Sequence, residues 1–236
     1  MVSAETAKEL NLKYKETETV EVLKQLASTY NEKVVFTTSF GIEDQVITDL
    51  IFKNDIDIKV ITLDTGRLFE ETYKVYNRTL EKYQKPIQPY YPNNEKLEEF
   101  VAEKGPNSFY LSVENRKMCC HIRKVEPLGR ALNDMQIWVT GIRASQSNNR
   151  EDMEFFDFDG SHELVKYNPL LHWSLDDCRE YVKENQVPYN VLHDRGFVSI
   201  GCQPCTRAIQ PGEDFRAGRW WWESNSKKEC GLHTHS

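Results

Sequence analysis

Six cysteines stand in this chain of 236 residues, and five of them occupy positions that suggest chemistry. Cys119 and Cys120 are adjacent, Cys202 and Cys205 form a C-x-x-C, and Cys230 sits close to the end of the sequence. Cys178 alone falls inside an ordinary helical pattern and reads as a buried structural thiol. A C-x-x-C serves zinc, redox chemistry or one corner of an iron–sulfur site. Together the two pairs supply four thiolates, the requirement of a tetrahedral zinc or of a cubane iron–sulfur cluster. Zinc sites use spaced pairs, because adjacent residues chelate one compact ion only under strain. Neighbouring cysteines reach two different irons more comfortably, which favours the cluster. Arg123 and Lys124 follow directly and would offset its negative charge. Two disulfides are the competing pairing, and a reducing compartment disfavours them. Cys230 lies in a polar, glycine-containing segment expected to be mobile. Lys227 and Lys228 before it and His233 after it favour the thiolate, the form that attacks.

A second kind of chemistry is suggested by two loops. Thr37 to Asp44 runs from an apolar stretch through Thr-Thr-Ser-Phe-Gly into a helical pattern. Such a turn presents backbone N–H groups and a helix N-terminus to an anion, although the same residues also serve as a plain cap. It is neither a Walker A loop nor a G-x-G-x-x-G. Leu63-Asp64-Thr65-Gly66-Arg67 adds a carboxylate suited to ribose hydroxyls and an arginine suited to phosphate; its competing reading is a simple turn. Between positions 116 and 130, Arg116, Lys117, Arg123, Lys124 and Arg130 face one acid, Glu126, and the loop from Gly141 to Arg150 holds Arg143 and Arg150 without any acid. This local charge steers a small anion, or else coats a solvated helix face.

The elements that must position these groups alternate. The first thirty residues read as polar helix. Val34-Val35-Phe36 opens a strand and Ile42 to Phe52 a helix; Ile58 to Leu63 and Arg67 to about Tyr83 repeat the unit. Pro86 to Tyr91 and Gln136 to Val139 read as further strands, with Glu95 to Glu103 as a helix between them. Ser174-Leu175-Asp176-Asp177 has capping-box spacing and opens a helix through about Glu184. The fold class is therefore α/β, a mainly parallel sheet flanked by helices. Ligands of such sheets bind off the carboxyl ends of the strands, so the loops at Ser39, Asp64 and Gly141 are expected to face one crevice. There is no internal repeat. The expected division is a body over residues 1–215 and a flexible tail over 216–236.

Composition sets the outer limits. Hydrophobic residues at 39% and charged residues at 28% allow a packed core. Thirty Lys and Arg against 37 Asp and Glu give a net charge of −7, which speaks against a nucleic acid polymer as partner. No apolar run is long enough for a bilayer and no secretory h-region opens the chain, so a cytoplasmic protein with no membrane partner is expected.

Taken together, the motifs resemble the assimilatory sulfonucleotide reductases, and among them the iron–sulfur branch, the adenylyl-sulfate (APS) reductases. The stretches that carry the resemblance are Thr38 to Asp44, Leu63 to Arg67, Cys119 to Leu128, Gly141 to Arg143, Gly201 to Arg207, Arg216 to Trp222 and Glu229 to His233, in family order. The resemblance implies an adenine-nucleotide α-hydrolase-like fold and one 4Fe–4S cluster on Cys119, Cys120, Cys202 and Cys205. It implies that Cys230 attacks the sulfur of the sulfonucleotide, expels AMP and carries an S-sulfocysteine, with His233 and Lys124 assisting. Thioredoxin or a glutaredoxin would then release sulfite. Ser39, Phe40 and Gly41 would hold the phosphosulfate, and Asp64, Thr65, Gly66 and Arg67 would lie near the nucleotide. Lys124, Arg143, Arg216 and Arg219 would neutralise phosphate and sulfate oxygens. The first loop lacks the S-G-G-x-D-S of nucleotide pyrophosphatases, which argues against ATP cleavage. Its Phe-Gly-Ile also resembles reductases of the 3′-phosphorylated nucleotide, PAPS, whereas the four cysteines favour APS. Rival readings are a zinc-bearing nucleotide hydrolase and a non-enzymatic iron–sulfur sensor. A homo-oligomer stays open.

Overall fold

Short β-branched and aromatic runs build the sheet. In the computed structural model, which describes residues 2–146 and 153–223, strands β1 (Val34–Thr38), β2 (Lys59–Leu63), β3 (Gln88–Tyr90), β4 (Ile137–Val139), β5 (Phe156–Asp159) and β6 (Leu164–Tyr167) form one sheet. Their order is β3-β2-β1-β4-β6-β5. Every neighbouring pair is parallel except β5 with β6. The mainly parallel sheet is as expected. The antiparallel edge strand β5 was not, although Phe156-Asp157-Phe158-Asp159 alternates apolar and acidic residues over four positions.

Helices α1 (Ala4–Tyr14), α2 (Thr19–Tyr30), α3 (Ile42–Lys53), α4 (Glu70–Tyr83), α5 (Asn94–Lys104), α6 (Val113–Cys120), α7 (Glu126–Leu132) and α8 (Leu175–Glu184) flank it. The polar helix expected over the first thirty residues is two helices, separated by a turn in which Thr17 N–H donates to the Tyr14 carbonyl. At α8 the capping box is present: Ser174 N–H donates to Asp177 at 2.7 Å, and Asp177 N–H to Ser174 Oγ at 3.0 Å.

Strand alternation divides the core. Val34, Phe36, Val60, Ile137, Val139 and Val165 point to one face, packed by α1, α2, α3 and α8 residues. Val35, Ile61, Trp138 and Leu164 point to the other, against Leu128, Ala131 and Leu132 of α7. Helix α3 is buried from Ile42 to Phe52, polar residues included. Its Asp49 accepts hydrogen bonds from Tyr83 at 2.5 Å and Tyr181 at 2.8 Å, which ties α3 to α4 and α8. Gln45 donates to Thr79 and to the Pro188 carbonyl. A buried carboxylate satisfied this way fixes the helix, and with it the loop at its N-terminus.

Candidate active site

The chain builds outward from β1 in both directions, so the strand order reverses between β1 and β4, where α/β sheets bind ligands. A cavity of about 240 Å³ opens there. The turn after β1 contributes Thr38, Ser39 and Gly41, the turn after β4 contributes Thr140 and Gly141, and Thr62 and Leu63 close it from β2. Ser39 and Gly41 therefore lie where the sequence placed them. Gly41 begins α3 with no side-chain cap, so the first amides of that helix are left for a ligand or water. Phe40 does not line the cavity. It adopts a left-handed backbone (φ 60°) and stacks its buried ring on Tyr76 at 4.8 Å, which turns the loop at the cost of strain.

Two acids the sequence reading passed over complete this loop. Ser39 donates to Asp44 from its N–H at 2.6 Å and from its hydroxyl at 2.7 Å. Burial pushes the Asp44 carboxyl up to about 6, partly opposed by those two hydrogen bonds and helped by the charge of Glu43. Asp44 also explains Gly141: a Cβ there would lie 2.1 Å from Asp44 Oδ1. Glu43 lines the cavity too, and its partner is Arg143. Arg143 is buried, meets Glu43 at 2.9 Å and donates to Ser145 at 2.6 Å, so it braces the wall and does not border the cavity.

Positive charge inside the cavity comes from Lys124, Arg216 and Arg219. Arg219 is buried, and among the described residues no carboxylate pairs with it and no acceptor meets its Nε. Its guanidinium lies 4.7 Å over the Trp220 ring and reaches Ser199 at 3.4 Å. Gly201 makes room for it, since a Cβ there would lie 2.4 Å from Arg219 Nη2. The backbone from Thr206 pairs with Arg219, and Glu223 meets buried Arg116 at 2.8 Å, so residues 216 to 223 pack onto the body. The wall formed by Val198, Ser199 and Ile200 carried no periodic signal in the sequence. Trp138, which donates to Thr37 at 2.9 Å, was readable only as a strand residue.

Next to this cavity lies a smaller one of about 20 Å³, room for about one water. Cys119, Cys120, Cys202 and Cys205 all border it, with Arg67, Arg123 and Lys124. The tandem pair ends α6, and a wide π-type turn over His121–Val125 carries the chain into α7. Phe109, Trp220 and Trp222 wrap the thiols. Burial pushes the Cys119 thiol up against the pull of Arg123, and raises Cys205 to about 12 with help from Cys202 and Cys120. Among the described residues, no group of three or more His, Cys, Asp or Glu side chains is arranged to hold a metal ion. The four thiols share the lining of one small space.

The second loop serves the thiols. Asp64 accepts from Gly66 N–H at 2.8 Å and from the Tyr73 hydroxyl at 2.9 Å, closing a turn with Gly66 at φ 68°. Thr65 takes the Cys202 thiol at 3.3 Å and offers its carbonyl to Arg123 at 2.5 Å. Arg67 bonds Pro106 and Asn107 and stacks on Phe109. None of Asp64, Thr65, Gly66 and Arg67 lines the larger cavity, and only Lys124 among the expected site residues borders both. Cys178 is buried in α8 with its thiol pushed up to about 12 by burial, as inert as its position implied. Cys230, His233 and Arg150 lie outside the described residues.

Residues 33–208 match the phosphoadenosine phosphosulfate reductase domain. The chain belongs to that family. An adenosine 5′-phosphosulfate reductase of Sinorhizobium fredii NGR234 is 52% identical over 201 residues, 85% of this chain and 80% of its own. One of Allochromatium vinosum is 44% identical over 219 residues, 93% and 85% of the two chains. The crystal structure of a phosphoadenylyl-sulfate reductase from Candida auris, in a phosphate complex, superposes with a TM-score of 0.74 at 30% identity, covering 89% of this chain and 98% of that one. Candida glabrata FMN adenylyltransferase, at TM-score 0.55 and 15% identity over 89% and 75% of the chains, shares the fold alone. The protein is an oxidoreductase acting on a sulfur group. No helix among the described residues is long and apolar enough to cross a membrane.

Proposed function

We propose that this protein reduces adenylyl sulfate to sulfite and AMP, with a dithiol protein of the thioredoxin or glutaredoxin class as electron source. The observation that carries this reading is the buried Arg219, without a carboxylate partner among the described residues, in a hydroxyl- and glycine-lined cavity beside four thiols. A buried guanidinium left unpaired is costly unless an anion completes it. With Lys124 and Arg216 it suits a phosphosulfate. The naming of the relatives near 50% identity favours APS over PAPS as substrate.

Chemistry starts at Cys230. Its thiolate attacks the sulfonate sulfur; a sulfur–sulfur bond forms, the bond from sulfur to the bridging phosphate oxygen breaks, and AMP leaves with that electron pair. Lys124, Arg216 and Arg219 hold the oxygens on which charge grows. A thiolate of the reductant then attacks Cys230 Sγ, and sulfite departs with the electrons of the sulfur–sulfur bond. The reductant's second thiolate frees Cys230 and closes a disulfide, so two electrons pass from dithiol to sulfur.

Cys119, Cys120, Cys202 and Cys205 would hold a 4Fe–4S cluster, which supplies a fixed charge and a structural tie beside the substrate. Donor chemistry carries this fit: four thiols border one space, with Arg67, Arg123 and Lys124 around them. Burial keeps the Cys119 and Cys205 thiols protonated, so ligation would release their protons.

The test is protein purified without oxygen. Iron and sulfide are counted, and sulfite release from APS and from PAPS is followed with thioredoxin. About four irons and a preference for APS are expected. Zinc and no sulfite from either nucleotide would overturn the reading.

A further inference from the structure

One corner of the surface is more apolar than the rest. Of the large hydrophobic side chains left exposed, Tyr110 and Trp221 meet there and Leu111 and Met118 stand on the adjoining turn and helix, at 41%, 40%, 77% and 51% exposure. Tyr110 and Trp221 meet edge to face at 6.3 Å, and Trp222 joins them at 4.4 and 4.9 Å. Leu111 follows Tyr110, and Met118 stands on α6, which packs against the turn Ser108–Tyr110. These rings are held in place: Tyr110 donates to the Pro204 carbonyl at 2.7 Å, and Glu223 is locked to Arg116. Apolar side chains kept rigid in water mark a binding surface.

The place of this surface says what would bind. Trp220 faces into the substrate cavity while its neighbour Trp221 faces out, so the patch adjoins the site. Cys230 lies seven residues beyond Glu223, a reach of at most about 25 Å for an extended chain. Whatever reduces Cys230 must sit within that radius. Four side chains expose a few hundred Å², well short of the roughly 800 Å² per partner of a stable dimer. That area suits a transient partner which docks, exchanges and leaves.

We propose that the apolar surface of Tyr110, Leu111, Met118 and Trp221 is the docking site of the dithiol reductant. This rests on the reduction chemistry at Cys230 set out above.

The test compares two reductants on the full-length holoenzyme. Leu111→Asp is made alone and with Trp221→Ser. With thioredoxin as reductant, KM for thioredoxin should rise at least about tenfold, the effect of losing one interface anchor. Turnover driven by dithiothreitol, and formation of S-sulfocysteine in a single turnover without reductant, should stay within about twofold of the parent, because a small dithiol needs no docking surface. An unchanged KM for thioredoxin in both variants overturns the proposal. So does an equal loss with dithiothreitol, which would make the patch a support of the site. A change in sedimentation from dimer to monomer with thioredoxin kinetics unaltered would assign the patch to a second copy of this chain, again against the proposal. If the parent forms no S-sulfocysteine at all, the chemistry at Cys230 falls first and takes the docking site with it.

Discussion

Arg219→Met separates a cation kept for function from one kept for stability. The guanidinium is buried, reaches Ser199 only at 3.4 Å and leaves Nε without an acceptor among the described residues. An unmet buried donor costs about 1–3 kcal/mol, and more for a charged group. Stacking on Trp220 at 4.7 Å returns about 0.5–2 kcal/mol. Methionine fills much of the same volume and carries neither term. The net expectation is a folded variant whose stability is unchanged or up by about 1 kcal/mol, a rise in Tm of about 2–4 °C for a domain of this size. Activity should move the other way. Losing one donor to the developing charge costs about 10²–10³ in turnover. The parent, at AMP concentrations near 100 Kd, should gain about 2.7 kcal/mol from bound nucleotide, and the variant should show little of that shift. The assay is thermal unfolding with and without AMP, alongside sulfite release. A variant that loses several degrees, or one that keeps full turnover, would refute the reasoning.

Gly141→Ala should be strongly destabilising, by about 2–4 kcal/mol, because the new Cβ displaces Asp44 and the charge-assisted bonds from Ser39 go with it. In an Asp44→Ala background the same change should be nearly neutral in urea unfolding; additive costs would show that the two residues do not meet. Asp44 has a folded-state carboxyl raised from 3.8 to about 6, so its contribution to stability is full below the lower value and lost as pH rises through the upper one. Asp44→Asn should therefore flatten the fall in stability between about pH 4 and 7 by about 3 kcal/mol, and an unchanged pH profile would disprove the shift. Cys230→Ser should abolish sulfite release while iron content and AMP affinity, followed by calorimetry, remain at parental levels; turnover in that variant would remove Cys230 from the mechanism.

Much of this architecture could be read from periodicity. The runs Val34–Phe36, Ile58–Leu63 and Gln136–Val139 are β-branched and apolar, and each became a parallel strand within a residue or two. The loops at Ser39 and Gly141 reach one cavity because strand ends at a switch point must. The loop at Asp64 follows a strand just as clearly, yet only its lead residue Leu63 reaches that cavity. A left-handed Gly66 and the Tyr73 hydroxyl turn it toward Cys202 instead. Sequence spacing carries no information on the direction a turn takes. The segment from Val198 to Gly201 was invisible for a related reason: it is irregular backbone, and its value lies in the space Gly201 leaves for Arg219.

Charge counting meets the same limit. Arg116, Arg143 and Arg219 look alike in the sequence, and all three are buried. Arg116 closes a fork on Glu223 and Arg143 on Glu43, so each returns the cost of its burial within the protein. These two are walls. Arg219 has no such acid among the described residues, and the proposed anion would offset the cost of its burial. An acidic chain of net charge −7 thus pairs Arg116 and Arg143 with acids and keeps Lys124, Arg216 and Arg219 on the cavity where the proposed anion would sit. The pairing, which only folding reveals, separates Arg219, proposed to hold the anion, from the two arginines that brace the protein.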